Sequence, residues 1–455
     1  METIREPRPG AAARAGEGAF ADADGGGAAQ SRGGSAGAPR ARAGSGGAPN
    51  GRLGRGSRSS ANQSAMRVHN LGLVLDLVRS HPEGISRAEI ARATGLTRST
   101  ASRLVQDLLD MRLAVEQSVL ERGEPGRPAT PITPAPGTFA GIGATVNLDY
   151  VSARAIDLAG NVVYEHYEPG EFRNSDPTEV LRGLGDRIHE AVLTCADSGI
   201  TVTGVGIGLP GLVDGGAEDP VLQIAPNLGW RHLAPATFLG HGLREALEIA
   251  LDNDANLQAV AAAYRSPGAS RGFTDFLYVS GDVGVGGALV LDGEVFRGMH
   301  GWAGELGHFL VDPDGPPCPC GARGCLEMYA GKFAIHQAAG LDPHAPAGVL
   351  VRALEAGDPR ALEAVAAAGH ALGVTLSNAI NLLDVSTVVF GTGIGGIVEW
   401  LRPAVLDVLH DRLLSRGTIH VELLAAPIDD APASTGAAYL ALDGVLETAL
   451  GQVAG

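Results

Sequence analysis

Three cysteines and a histidine stand close enough along this chain to bind a single metal ion. Cys318, Cys320 and Cys325 fall within eight residues, and His308 lies ten residues before the first of them. One imidazole and three thiolates make a closed tetrahedral zinc site, and because protein fills all four positions such a zinc is structural, one per chain. A disulfide fits poorly, since the cluster holds an odd number of thiols and Cys318 and Cys320 are too near in sequence to pair comfortably. The intervening glycines and prolines let the backbone turn sharply around an ion. Glu305 and Glu327 flank the cluster, and a metal staple would hold them side by side at its rim. Taken alone, each reads better as a solvated surface acid.

A second group of functional side chains, Arg98, Ser99, Thr100, Ser102 and Arg103, needs a helix to present it. From Met66 the spacing of Leu71, Val74, Leu75 and Val78 predicts a helix with one apolar face. Ser86-Arg87-Ala88-Glu89 is a capping box that opens a second, short helix ending at Gly95. Thr97 then caps a third, with Leu104, Leu108 and Leu109 turned inward and the polar group on its exposed N-terminal half. That order is a helix-turn-helix, whose second helix enters the major groove by its N-terminal residues. Leu113 to Glu116 reads as a strand and 121–128 as a Gly- and Pro-rich loop, together the wing of a winged helix. Arg127, at the narrow tip of that loop, suits a minor groove. One such unit spans only a half-site, so specificity implies a homo-oligomer, dimer or tetramer, on an inverted repeat of operator DNA.

Charge is divided in agreement with this. The chain carries a net −17, yet residues 1–128 hold 18 arginines against 13 acids, whereas 129–455 hold 16 basic side chains against 38 acids. A nucleic acid is therefore expected at the front of the chain only. Residues 1–65, rich in Gly, Ala, Ser, Pro and Arg, bury too little to offset their ordering entropy and are expected to be disordered. Residues 66–136 form the DNA-binding unit. Residues 137–455 alternate β-branched runs with helical stretches, which indicates α/β architecture. Four cysteines, a single lysine and no apolar run of membrane length place the protein in a reducing compartment, the cytoplasm, without membrane insertion. Cys195, remote from the other three, reads as a small buried residue.

The pattern Glu305-x-Gly307-His308, nine residues, Cys318-x-Cys320-Gly321-x-x-Gly324-Cys325-x-Glu327 resembles the ROK family of repressors, open reading frames and sugar kinases. Ser86 to Arg92, Gly126-Arg127-Pro128, Ala225 to Trp230 and Asp252 to Asn256 extend the resemblance over nearly all of the chain after residue 65. It implies a winged helix-turn-helix followed by a two-lobed actin/hexokinase-like domain with a cleft between the lobes. It also implies that Glu305, His308 and Glu327 contact a sugar, that Asn253 orients the ring, and that Asp254 is the catalytic base if the protein is a kinase. Gly211 would let the backbone approach the same ligand. An Asx-rich turn is the plainer reading of Asn253-Asp254.

The resemblance breaks at the nucleotide. ROK kinases open this domain with Asp-x-Gly-Gly-Thr, where the present chain has Gly141-Ile142-Gly143-Ala144-Thr145-Val146-Asn147-Leu148-Asp149. Matched without gaps, Thr145 replaces the Asp and Asn147-Leu148-Asp149 the Gly-Gly-Thr; taking Gly143-Ala144-Thr145 as the loop also loses the Asp. A second phosphate loop, Gly-Thr-Gly in kinases, is Asp282-Val283-Gly284 and brings in a carboxylate that repels phosphate. Gly391-Thr392-Gly393 reads as a structural turn. The expectation is a transcriptional regulator, in the manner of the family's repressors, that senses a sugar or sugar phosphate without catalysis. An active sugar kinase with a DNA-binding domain is the first rival, told apart by ATP turnover. A regulator controlled by a protein partner is the second, told apart by DNA binding without any carbohydrate ligand.

Overall fold

The computed structural model describes residues 55–118, 130–214, 220–281 and 283–454. Arg127, Asp282 and residues 1–54 lie outside the described residues.

The helix-turn-helix follows its caps. A helix runs Arg55–Arg79, starting ahead of the boundary drawn at Met66, because an apolar face nucleated at Leu71 to Val78 propagates backward through residues that do not oppose it. Helix Arg87–Thr94 opens on the reciprocal Ser86 and Glu89 contacts and closes on Gly95 at φ 68°. Helix Arg98–Asp110 opens on Thr97, and its inward face is Ala101, Leu104, Val105 and Leu108. Leu109 is partly buried and packs against the same cluster, and Val105, which the sequence reading did not single out, is fully buried beside Leu104. Strand Ala114–Glu116 pairs antiparallel with Ile132–Pro134, which fixes both ends of the wing hairpin.

This unit does not have a core of its own. Leu71, Leu75, Ile90 and Leu104 share one buried cluster with Phe139 and Leu158 of the following domain, and with Leu442, Val445, Leu446 and Ala449 from the end of the chain. Arg79, 7% exposed at the end of its helix, reaches Asp443 at 3.3 Å. Leu442→Ala, at a site 0% exposed, should cost about 2–5 kcal/mol. Amide exchange in Leu71 to Val78 should quicken along with the loss in global stability; unchanged protection there would show two separate cores.

Two sheets follow, with one topology. In the first, Ile249–Asn253, Thr201–Leu209 and Phe139–Val146 run parallel, and Tyr150–Asp157 and Val162–Pro169 extend it antiparallel. In the second, Glu422–Ala425, Thr387–Phe390 and Phe276–Ser280 run parallel, and Gly286–Leu291 and Glu294–Val295 extend it antiparallel. Each sheet thus reads 3-2-1-4-5 in its own strand order and each has its own core. Between the two lobes, helices Asp254–Ala263 and Pro432–Ala441 pack face to face. Their contact is made of Leu257, Ala433 and Ala437, and Gly436 lies so close that a Cβ there would sit 1.8 Å from the Leu257 carbonyl oxygen.

Gly141 and Gly143 are mid-strand, beneath helix Pro432–Ala441, where the carbonyls of Ala438 and Ser434 leave no space for a side chain. They therefore serve packing, and the loop register that placed Gly143 at a phosphate is set aside. The strand turns instead at Asn147-Leu148-Asp149. Gly391 begins a one-turn helix, Thr392–Gly395, rather than a simple turn. Among the described residues no helix is long and apolar enough to cross a membrane.

Candidate functional site

The cleft between the lobes gathers every residue expected at a sugar. Gly211, Asn253, Asp254, Glu305, His308 and Glu327 all line one cavity. Gly211 holds φ +124°, in a turn where a Cβ would meet the Ile224 carbonyl at 2.2 Å, so no other residue fits. Its own carbonyl accepts from Asn253 Nδ2 at 2.9 Å, while Asn253 Oδ1 accepts from the Ala255 amide at 2.8 Å and caps the helix that begins at Asp254. The amide thus ties one lobe's turn to the interlobe helix, and it keeps one N–H and one lone pair for a ligand. Asp254 occupies the first turn of that helix, where the dipole favours a carboxylate.

Glu327 opens the short helix Glu327–Ala330 and accepts from the Val285 amide at 3.4 Å. Burial pushes Glu305 up from the ordinary carboxylate range, the neighbouring His308 opposing this and Glu327 adding to it. Asn147, Asn227, Gln258 and Ser280 also line the cavity and were not anticipated. Gln258 follows Asp254 by one helical turn and so shares its face, a signal that spacing alone offered. Asn227 lies in the Ala225 to Trp230 segment already noted. Asn147 and Ser280 come from the ends of two strands in different sheets, a proximity only the tertiary fold creates.

A His/Cys cluster adjoins this cavity, His308 and Cys320 belonging to both. The ligand atoms of His308, Cys318, Cys320 and Cys325 lie within 4.8 Å of one another. Cys320 and Cys325 Sγ are 3.8 Å apart, and Cys318 Sγ is 3.9 Å from His308 Nδ1. A tetrahedron with metal–sulfur bonds of about 2.3 Å has edges of about 3.8 Å, so the four residues fit a metal ion. Burial pushes the Cys318 thiol up to about 12 and raises Cys325, so each keeps its proton unless a cation stands beside it. His308 turns Nδ1 to the thiols and Nε2 to Glu305, 3.8 Å away, which joins the metal cluster to the cavity through one ring.

The turn at Asn147-Leu148-Asp149 and the strand leading into it are occupied by their own side chains. Thr145 donates to the Gly208 carbonyl at 2.9 Å, and Asn147 Oδ1 accepts from the Leu148 amide at 2.6 Å. Asp149 pairs with Lys332, the chain's only lysine, at 2.5 Å, from the opposite lobe. Val283, from the second loop, is buried in the first lobe's core.

On the helix-turn-helix, Arg98, Ser99 and Arg103 are exposed, while Thr100 and Ser102 are half-buried. Thr100 bonds the capping Thr97 at 2.8 Å, so it serves the helix start. Cys195 is fully buried and its thiol is raised to about 11 by desolvation.

A model of the ROK family matches residues 142–444, and a model of the IclR helix-turn-helix domain matches residues 69–118. The xylose repressor of Bacillus subtilis is 28% identical over 362 residues, which cover 78% of this chain and 89% of that repressor. A solved ROK family transcriptional regulator, a homologue of the E. coli MLC protein, superposes with a TM-score of 0.69 at 24% identity, over 85% of this chain and 99% of its own. A ROK family glucokinase from Streptomyces griseus, solved with glucose and AMPPNP, gives a TM-score of 0.55 at 26% identity over 67% of this chain and 99% of its own.

Proposed function

The chain belongs to the ROK family, and on that premise we propose that it is a DNA-binding repressor of carbohydrate metabolism whose kinase-like domain binds a sugar as a signal. The observation that carries this reading is the convergence of Asn253, Asp254, Glu305, His308 and Glu327 on one interlobe cavity, in a chain whose helix-turn-helix shares a core with the same domain. The carboxylates and amides suit hydroxyl groups. The lack of a phosphate-cradling turn at Asn147-Leu148-Asp149 speaks against triphosphate binding. Zinc in the His308, Cys318, Cys320 and Cys325 site would supply structural cross-linking only, holding Glu305 and Glu327 in place. Its similarity to a xylose repressor favours release of DNA on sugar binding.

A sugar that touches both lobes selects the closed cleft, and the lobes carry the paired DNA-reading helices of an oligomer with them. Coupling is reciprocal, so operator fragments selected from random DNA should shift sugar affinity by the factor by which sugar shifts DNA affinity. Identical sugar affinities with and without DNA would end the sensor reading. Sugar-dependent ATP consumption that disappears in Asp254→Asn would make the protein a kinase. In the same binding assay, Arg103→Ala should narrow the gap between operator and random DNA by about 1–3 kcal/mol.

A further inference from the structure

The sugar cavity has a second chamber. Asn227, Val283, Gly284, Pro319 and Glu327 line both the inner cavity and a neighbouring groove, so the two spaces share one wall beside the Glu327 carboxylate. Gly284 makes the neck: a Cβ there would stand 2.3 Å from Glu327 Oε2 and 3.7 Å from Asn227 Nδ2. The inner cavity measures ≈ 100 Å³ and the groove ≈ 420 Å³, so a ligand larger than one ring must extend outward.

The two chambers differ in chemistry. Asp254, Glu305 and Glu327 face the inner one, and among the described residues no lysine or arginine lines it, which disfavours a phosphate there on charge. The groove is lined by the apolar side chains of Met328, Phe333 and Ala334 together with the hydrogen-bonding groups of Arg173, Asn227 and Gln337. Arg173 lies over the Phe333 ring with its guanidinium carbon 4.9 Å from the centroid, and its ion pair with Glu171 is long, 3.8 Å. An apolar, aromatic-bearing surface with a few hydrogen-bonding groups suits a pyranose or furanose ring. Arg173 and Asn227 come from the first lobe, Met328, Phe333, Ala334 and Gln337 from the second.

Resting on the sugar-sensing reading above, we propose that the groove is a second sugar subsite and that the effector is a neutral disaccharide or longer glycoside, one residue inside and the next in the groove. The extended ligand then bridges the lobes twice, once in each chamber.

The test is calorimetric titration of the full-length, zinc-loaded protein with D-glucose and D-xylose against maltose, cellobiose and xylobiose, with glucose 1-phosphate as a further arm. The expected result is a disaccharide that binds at least about tenfold more tightly than its own monosaccharide. Ala334→Trp, which fills the groove from a half-buried position on its wall, should erase that gain and leave the monosaccharide affinity as it was. Arg173→Met, on the other lobe, should remove about tenfold of the disaccharide affinity while the unfolding temperature and metal content stay unchanged. A monosaccharide that binds as well as every disaccharide, or a gain that survives both substitutions, overturns the subsite. A gain confined to glucose 1-phosphate overturns it too, in favour of an anion site at Arg173. If no carbohydrate of either length binds, the sensor reading itself fails.

Discussion

Cys320→Ala should purify with its metal content reduced from about one zinc per chain to near zero, and with sugar affinity lowered by about 10–100-fold. Three ligands remain in the variant, but the missing thiolate opens the tetrahedron, and affinity for the ion falls steeply when a four-ligand site loses a member. The loss reaches the sugar because Cys320 and Pro319 line the cavity themselves, and because His308 turns one nitrogen to the thiols and the other toward Glu305. Without the ion, no bond holds His308 in that orientation, and the half-buried Glu305 loses a fixed neighbour. Metal analysis and calorimetry on the same preparation check both halves. A metal-free variant with native sugar affinity would separate the cluster from the cavity.

Gly436→Val should destabilise the protein by about 3 kcal/mol or more, at the upper end of what overpacking costs. The obstacle is a backbone carbonyl, Leu257 O, at 1.8 Å from an ideal Cβ, so no rotamer change relieves it and the two interlobe helices must separate. Since these helices join the lobes, the variant should also lose the sugar-dependent change in DNA affinity even at temperatures where it remains folded. Denaturant unfolding measures the first effect and operator titration with and without sugar the second. Native coupling in a destabilised variant would move the pivot elsewhere.

What the sequence disclosed is what short-range chemistry can encode. The metal cluster is legible because its ligands fall between residues 308 and 325, and the helix-turn-helix because Ser86, Glu89, Gly95 and Thr97 mark its helix ends by their own side chains and backbone. The cavity was half legible. Asn253, Asp254, Glu305 and Glu327 belong to compact motifs, whereas Asn147 and Ser280 meet only because both sheets order their strands 3-2-1-4-5 and aim the corresponding ends at one cleft. The phosphate-loop register could not be resolved from glycine spacing, since glycine serves close helix-on-strand packing and anion binding alike. Only the position of Gly143 under helix Pro432–Ala441 distinguishes them. The shared core of the DNA-reading unit was invisible for a similar reason. Leu442 and Val445 look like any apolar helix face until the chain returns to its beginning.

That return has a consequence in time. During synthesis the DNA-reading helices leave the ribosome first, but the cluster that buries Leu71, Leu75 and Leu104 is closed by Leu442 to Ala449, which are made far later. At about 5–20 residues per second the delay is on the order of tens of seconds. A nascent chain therefore lacks a finished operator-binding surface until its sensor has been translated, and a polypeptide truncated before Leu442 should be unable to hold DNA in the repressed state. Under the proposed function, this architecture keeps a blind repressor, one able to grip the operator but unable to respond to sugar, from being released by an interrupted round of translation.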